Sequence, residues 1–236
     1  MASKIILILA NFILGTRRII AGREFINNNG KMSVGHWFRP VTDQHQKEIG
    51  PNECKLIDNN FPMILDIVQI PVSQKLNDPY QPESWIITNG TRWKKLSTLA
   101  AKYVRNFKEN PDSLWLEKNS PTDRVSDLFL NSMGRIQSVY LVKPQTFHLE
   151  LYSEDNSFEP GIQEHARAVF EYNDQKYDIA INDPVIIEKY CTRFPSTQEG
   201  KKIVELNRGS NCLLCVCLAQ RSQDAHTKLV TSVIEL

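Results

Sequence analysis

Short segments rich in Ile, Val, Phe and Trp recur along the first 72 residues of the chain, and no other feature constrains its fold as strongly. Turn-prone pieces separate these segments, namely the Asn-Asn-Asn-Gly run at residues 27–30 and a polar run at residues 42–51. Several short strands with such turns between them are typical of a small antiparallel barrel. The predicted strands are residues 5–9, 18–24, 34–41 and 64–72.

The same pattern returns after residue 135 and continues to the end of the chain. Phe147, Leu149 and Leu151 alternate with polar residues, as in a half-buried strand, and Asn173-Asp174 is typical of a hairpin turn. The predicted strands are residues 136–142, 146–153, 166–172, 177–181, 212–219 and 228–236. The sequence therefore predicts a mainly β protein with two small β-barrels.

A few short helices are predicted between and beside the barrels. Apolar residues at spacings of three and four, with Lys and Arg between them, predict an amphipathic helix over residues 92–107. A second helix is predicted over residues 123–133, and a third begins at Asp183 and Pro184, which suit its N-cap and first turn. The apolar face of the first helix would comprise Trp93, Leu96, Ala100, Tyr103 and Phe107, and its cations, interpreted as solvated, are Lys94, Lys95, Lys102 and Arg105.

Charge is divided unevenly along the chain. Residues 1–135 hold 18 Lys and Arg against 13 Asp and Glu, while residues 136–236 hold 10 against 14, so the two parts carry +5 and −4. Such a division predicts two folding units whose surfaces meet different partners or each other. The predicted domains are residues 1–134, an N-terminal barrel with appended helices, and residues 135–236, a C-terminal barrel.

The cysteines and the apolar stretches predict a cytoplasmic chain without a membrane partner. The five cysteines are odd in number, and three of them, Cys212, Cys215 and Cys217, crowd into one apolar run. These three lack an evident fourth ligand for zinc, so we interpret them as core residues and predict no metal site. The apolar run at residues 1–15 is interpreted as a buried strand, since no stretch reaches the 18 apolar residues of a membrane span.

No catalytic residue and no cofactor is predicted, because the chain contains no GxSxG, HExxH, P-loop or GxGxxG motif. The His148-x-Glu150 pair on a predicted strand is common by chance. An enzyme acting on nucleotides or nucleic acid stays open as an alternative, with acid–base groups drawn from His36, Asp66, Glu83 and Arg124.

Basic and aromatic residues combine near the ends of the predicted strands in the first half. Small barrels that bind nucleic acid use cations for the phosphates and aromatic faces for the bases. Trp37 and Arg39 lie two residues apart and so share one face of a strand. Either they form an exposed stacking pair, or Trp37 and Trp85 lie in the core and Arg39 is an internal counter-charge to Glu83 or Asp66. The predicted nucleic-acid-binding residues are Arg18, Arg23, Trp37, Arg39, Tyr80, Trp85 and Arg124.

Several blocks of the sequence, in their order along the chain, resemble the bacterial dual OB-containing domain family. In the first half they are residues 19–23 (IIAGR), 37–41 (WFRPV), 65–71 (LDIVQIP) and 80–85 (YQPESW). In the second half they are residues 170–174 (FEYND) with Tyr177, 182–184 (NDP) and 228–230 (KLV). The resemblance spans nearly the whole chain and implies that both barrels are OB-like. The sequence departs from the family at Cys215-Val216-Cys217, where small residues are expected.

The resemblance also implies a function. It implies binding of single-stranded DNA or RNA, or of a nucleotide, as an accessory or sensor component of a prokaryotic anti-phage or other conflict system. A scaffold that binds a co-encoded effector protein is the alternative, because OB and related folds host many functions.

Overall fold

The computed structural model describes residues 2–14, 17–43, 48–117, 123–134, 136–155, 162–190, 200–204, 211–219 and 224–236. Contacts divide the chain into two compact units. Unit 1 comprises Met1–Phe107 and Gly134–Val139, and unit 2 comprises Lys108–Met133 and Tyr140–Leu236. The chain thus leaves unit 1, returns to it for one short segment and leaves it again. A domain boundary after residue 134 stays a prediction.

Unit 1 is built on a five-stranded barrel. Its strands are β1 (Ala2–Leu14), β2 (Arg17–Asn28), β3 (Lys31–Val41), β4 (Asp66–Lys75), β5 (Ser84–Ile87) and the appended β6 (Lys94–Thr98). The strand order β1-β2-β3-β5-β4 closes because β4 also pairs with β1, and β3 runs parallel to β5. This arrangement is that of an OB barrel.

The long strand β1 pairs with two neighbouring strands in the barrel of unit 1. Its first half pairs with β4 from Ala2↔Val72 to Leu7↔Ile67, and its second half continues along β2. A bulge between Ile8 and Ala10 interrupts the register with β2, and bulges bend a strand and increase its twist. Closure of the barrel leaves a single apolar interior, whose fully buried members include Ile6, Ile8, Ile20, Phe38, Ile49, Cys54, Val68, Ile70 and Trp93.

The predicted helix over residues 92–107 is wrong over most of its length. Residues Lys94–Thr98 form strand β6, which pairs antiparallel with β4 from Asp66↔Thr98 to Gln69↔Lys94. Only α1 (Ala101–Val104) is helical, followed by a 3₁₀ turn at Arg105–Phe107. Pairing with β4 overrides the helical spacing, since local propensity is weak against tertiary contacts.

The described residues of unit 2 form two four-stranded sheets and two short helices. Its strands are β7 (Arg124–Ser126), β8 (Val139–Val142), β9 (Thr146–Asp155), β10 (Ile162–Tyr172), β11 (Gln175–Ala180), β12 (Gly200–Val204), β13 (Cys212–Leu218) and β14 (Ala225–Glu235). The helices are α2 (Asp127–Ser132) and α3 (Pro184–Tyr190). The first residue of β8, Val139, is also the last residue of unit 1.

The sheets of unit 2 have the orders β11-β10-β9-β12 and β7-β14-β13-β8. A parallel bridge between Ile181 and Val230 connects them just after β11, which repeats the parallel contact between β3 and β5 of unit 1. The prediction of a mainly β chain with a few short helices is therefore confirmed.

The two predictions in unit 2 that rest on turn and cap residues are confirmed. Asn173 and Asp174 have φ of 48° and 58° and connect β10 to β11, as the hairpin prediction requires. Helix α3 begins at Pro184, and Oδ1 of Asp183 accepts from the amides of Val185 (2.9 Å) and Ile186 (3.3 Å). The helix predicted over residues 123–133 is confirmed only from Asp127, because residues 124–126 pair with β14.

The interpretation of Cys212, Cys215 and Cys217 as core residues is confirmed. Cys54, Cys212, Cys215 and Cys217 are buried and free of disulfides, and Cys191 lies outside the described residues. Burial raises the pKa of the Cys54 thiol to about 11 and of the Cys212 thiol to about 12, so both stay protonated at neutral pH. Among the described residues no group of His, Cys, Asp and Glu is arranged to hold a metal ion. Nor does any described helix have the length and apolar character needed to cross a membrane.

Candidate nucleic-acid interface

Trp37 and Arg39 of strand β3 lie inside unit 1. Their exposed fractions are 6% and 4%, so neither side chain is presented to a ligand. The prediction that they form an open stacking pair on the surface is wrong. Their spacing placed them correctly on one face of the strand, but that face points into the fold.

Arg39 is the internal counter-charge to Glu83, as one of the two sequence interpretations predicts. Nε of Arg39 lies 3.3 Å from Oε1 of Glu83, and the Arg39 amide donates to the Glu83 carbonyl at 3.0 Å. The hydroxyl of Ser138, which is fully buried, accepts from Nη2 of Arg39 at 3.1 Å and donates to Oε1 of Glu83. These three buried residues tie the returning segment Gly134–Val139 to the barrel of unit 1.

Arg18 and Arg23 of strand β2 are half-buried and engaged within unit 1. The guanidinium of Arg18 lies 3.9 Å from the ring centroid of Phe61, and its Nη1 donates to Oδ1 of Asn11 at 3.2 Å. Arg23 donates twice to the carbonyl of Gly35, at 2.9 and 2.6 Å, and its guanidinium lies 5.8 Å from the Trp37 ring. Most of the hydrogen-bonding capacity of Arg23 is therefore already used by the protein.

The two remaining aromatic candidates of unit 1 lie near one end of strand β4. Tyr80 is half-buried in the loop between β4 and β5, where its amide donates to Oδ1 of Asp78 at 3.0 Å. Trp85 of β5 stacks on Phe38 with ring centroids 6.5 Å apart, and Nζ of Lys4 lies 4.1 Å from the Trp85 ring. Trp85 is thus a partly buried core residue that already carries one cation.

Arg124 belongs to unit 2, while the other six predicted residues belong to unit 1. It is exposed on strand β7 and pairs with Thr227 of β14. The predicted set is therefore divided between the two units.

Sequence reasoning missed the most basic exposed part of unit 1, residues 92–105. Five cations and no carboxylate occur there: Arg92, Lys94, Lys95, Lys102 and Arg105. All five are exposed, and so are Leu96 (43%) and Tyr103 (40%), which the predicted helix would have buried. The run of cations was visible in the sequence. The incorrect prediction of a helix over residues 92–107, however, placed Leu96 and Tyr103 on a buried face.

The two units differ in charge more than the two halves of the sequence do. Unit 1 holds 15 Lys and Arg against 8 Asp and Glu, and unit 2 holds 13 against 19, which gives +7 and −6. The chain between residues 108 and 133, with three cations and five carboxylates, accounts for the sharper contrast because it belongs to unit 2.

Unit 2 places carboxylates around its arginine on strand β10. Arg167 forms an ion pair with Asp123 at 3.0 Å and donates from Nε to Asp178 at 2.5 Å. Burial opposes the charged form, but the hydrogen bonds to both carboxylates raise the pKa of Arg167. Lys228 is 4% exposed, and burial lowers the pKa of its amine despite nearby Asp123 and Glu117. Arg167 is therefore already paired with carboxylates, and Lys228 lies in the interior of unit 2.

The His148-x-Glu150 pair lies on strand β9 of unit 2. Nε2 of His148 is 3.4 Å from Oε1 of Glu150, and the hydroxyl of Tyr152 donates to Oε2 of the same carboxylate. Glu150 is 8% exposed. The three side chains follow one face of the strand at every second residue, as the alternation of a β-strand requires.

The first unit is a closed β-barrel with the strand order of an OB fold, a second β unit follows it, and the cations are concentrated on the first. A family model described as the Dual OB-containing domain matches residues 4–233. The chain belongs to this family, which confirms the resemblance seen in the sequence.

Comparison with curated proteins finds no match. Among solved structures, the chain is similar to the one titled "Crystal structure of the tetrameric p202 HIN2", at 7% identity and a TM-score of 0.27. That match covers 100% of this chain and 92% of the other, but so low a TM-score does not show a shared fold.

Proposed function

We propose that this chain is a nucleic-acid-binding protein with two OB-like units, in which unit 1 binds single-stranded DNA or RNA, or a nucleotide. The segregation of charge carries the proposal: unit 1 has a net charge of +7 and unit 2 of −6. Nucleic acid releases condensed counterions when cations neutralise its phosphates, so a basic barrel gains affinity without reading sequence. OB barrels also commonly bind oligonucleotides.

Fluorescence anisotropy with labelled single-stranded oligonucleotides tests the proposal on the full chain. Affinity should fall as salt rises between about 50 and 200 mM, with a log–log slope of about −0.7 for each phosphate contacted. We expect a slope of about −2 or steeper, which corresponds to three or more contacts. Competition by a nucleoside triphosphate distinguishes a nucleotide site from an oligonucleotide site. Absence of binding at low salt would overturn the proposal.

We also propose that the chain is an accessory or sensor component of a prokaryotic anti-phage or other conflict system. The family resemblance supports this role. A plaque assay on a host with and without the gene and its neighbours tests the anti-phage role. Equal plating efficiency for all phages tested would contradict that role.

A second candidate function is a protein scaffold that uses unit 2. The net charge of −6, with Arg167 already neutralised by Asp123 and Asp178, favours a basic partner over a phosphate chain. Co-expression with each neighbouring gene product should then give a stoichiometric complex that weakens with salt. Replacement of Asp178 by Asn should lower its yield without changing oligonucleotide binding.

A further inference from the structure

We infer that the nucleic acid runs along strand β6 and the helical turn after it, rather than along the predicted residues of β2 and β3. This inference rests on the proposed function and names the surface that performs it. We call the exposed side chains of residues 92–105 the basic strip. Its ligand is the phosphate backbone of a single strand, with bases placed against the apolar side chains of the strip.

Buried residues anchor the segment that carries the basic strip, and the residues between the first two anchors are exposed. Trp93, Leu99, Val104 and Phe107 are between 0% and 6% exposed and anchor the segment to unit 1. All five residues of β6 between the first two anchors are exposed. A barrel strand normally buries one of its two faces, so β6 offers side chains on both sides.

Three of the five cations of the basic strip are available, while Arg92 donates to the Leu56 carbonyl at 3.5 Å. Arg18, Arg23 and Arg39 of the predicted site are engaged within unit 1. Within the part of the chain that the structure describes, the side chains of Lys94 and Arg105 have no hydrogen bond or ion pair. Lys102 lies 5.0 Å from the Tyr103 ring, a contact that leaves its charge uncompensated. Lys95 alone has a carboxylate partner, Asp66 at 2.7 Å. By contrast, Arg39 is buried against Glu83.

Exposed apolar groups accompany these cations. Tyr103 is 40% exposed and Leu96 is 43% exposed. A tyrosine ring beside a lysine gives a base a face to stack on and its phosphate a counter-charge, which is how sequence-tolerant single-strand sites are built.

Two matched charge variants locate the binding surface. Lys94→Gln with Arg105→Gln removes two positive charges from the basic strip, and Lys31→Gln with Lys75→Gln removes two from exposed ends of β3 and β4. For oligonucleotide binding at low salt, the strip pair should weaken affinity about tenfold and reduce the salt slope by about 1.4, since two phosphate contacts are lost. The control pair should change affinity less than twofold or so, through long-range charge alone.

Tyr103 supplies an independent test that leaves charge unchanged. Tyr103→Ala should weaken binding about fivefold or more, as loss of one base stack does, while Tyr103→Phe should keep affinity within about twofold. Thermal unfolding of each variant shows whether unit 1 stays folded, and Tyr103→Phe retains the ring in any case.

The outcomes distinguish failure of the proposed function from failure of the inference about the basic strip. If the unaltered protein does not bind oligonucleotides, the proposed function fails. If it binds and the control pair weakens it as much as the strip pair does, the inference about the basic strip fails while the function stands. If Tyr103→Ala binds as tightly as the unaltered protein, the inference that a base stacks on Tyr103 fails.

Discussion

Arg39 and Glu83 form an ion pair whose members are 4% and 6% exposed, in the interior of unit 1. Each charge loses its hydration on folding, and the partner and the Ser138 hydroxyl compensate for that loss. Removal of one member leaves the other as an uncompensated buried charge. Removal of both leaves an apolar gap that costs less.

We therefore expect Glu83→Gln to lower the free energy of unfolding by about 3 kcal/mol, since it strands the Arg39 cation. The double variant Arg39→Met with Glu83→Leu should cost less than Glu83→Gln alone. Urea unfolding of the single and double variants measures the coupling. Additive losses would contradict the assigned ion pair.

The same residues show what spacing can and cannot predict. The two-residue separation of Trp37 and Arg39 correctly placed both side chains on one face of strand β3. It could not show that this end of the strand is covered on both faces, as it is in the structure, where residues 37–41 are all buried. Its buried partners Glu83 and Ser138 lie 44 and 99 residues away in sequence. Without knowledge of these partners, Arg39 is predicted to be a surface cation.

At the scale of elements, Gly22 of strand β2 explains why one family block carries a glycine. A Cβ built on Gly22 would lie 2.2 Å from the carbonyl oxygen of Leu7 and 2.7 Å from Cγ2 of Ile6. Backbone cannot yield as a flexible side chain does, so strands β1 and β2 approach this closely only with glycine here.

Gly22→Ala should consequently destabilise unit 1 by about 2 kcal/mol or more, because overpacking against backbone forces the strands apart. Gly35→Ala is the matched control, since its Cβ would first meet the flexible side chain of Glu24 at 3.2 Å. Thermal unfolding should show a clearly larger loss for Gly22→Ala. Equal losses for the two variants would contradict the close approach.

Most strand positions were predictable from composition, whereas the short strands β5, β7 and β12 and residues 92–107 were not. Trp93 and Phe107 are buried as a helix would require, but Leu96 and Tyr103 are not. Pairing of Lys94–Thr98 with β4 depends on a partner strand that the local pattern does not reveal. The basic strip could be recognised as a charge run from the sequence, but not as a surface that also exposes apolar groups.

At the scale of the whole molecule, the chain enters unit 1 twice. The returning segment Gly134–Val139 supplies Ser138, whose hydroxyl contacts both members of the buried ion pair, and Ile136, which is 9% exposed. No linker-like composition marks this path in the sequence, so the boundary prediction rested on the change from helical to strand-like patterning alone.

A fragment of residues 1–107 should therefore be less stable than a fragment of residues 1–139, although both contain every strand of the first barrel. The shorter fragment leaves polar atoms of Arg39 and Glu83 without the Ser138 hydroxyl, a loss of about 2 kcal/mol when charged groups are involved. Urea unfolding followed by tryptophan fluorescence measures the difference. Ser138→Ala in the longer fragment should reproduce a large share of it, because it removes the hydroxyl while keeping the backbone of the segment. Equal unfolding midpoints for the two fragments would show that unit 1 is complete at residue 107.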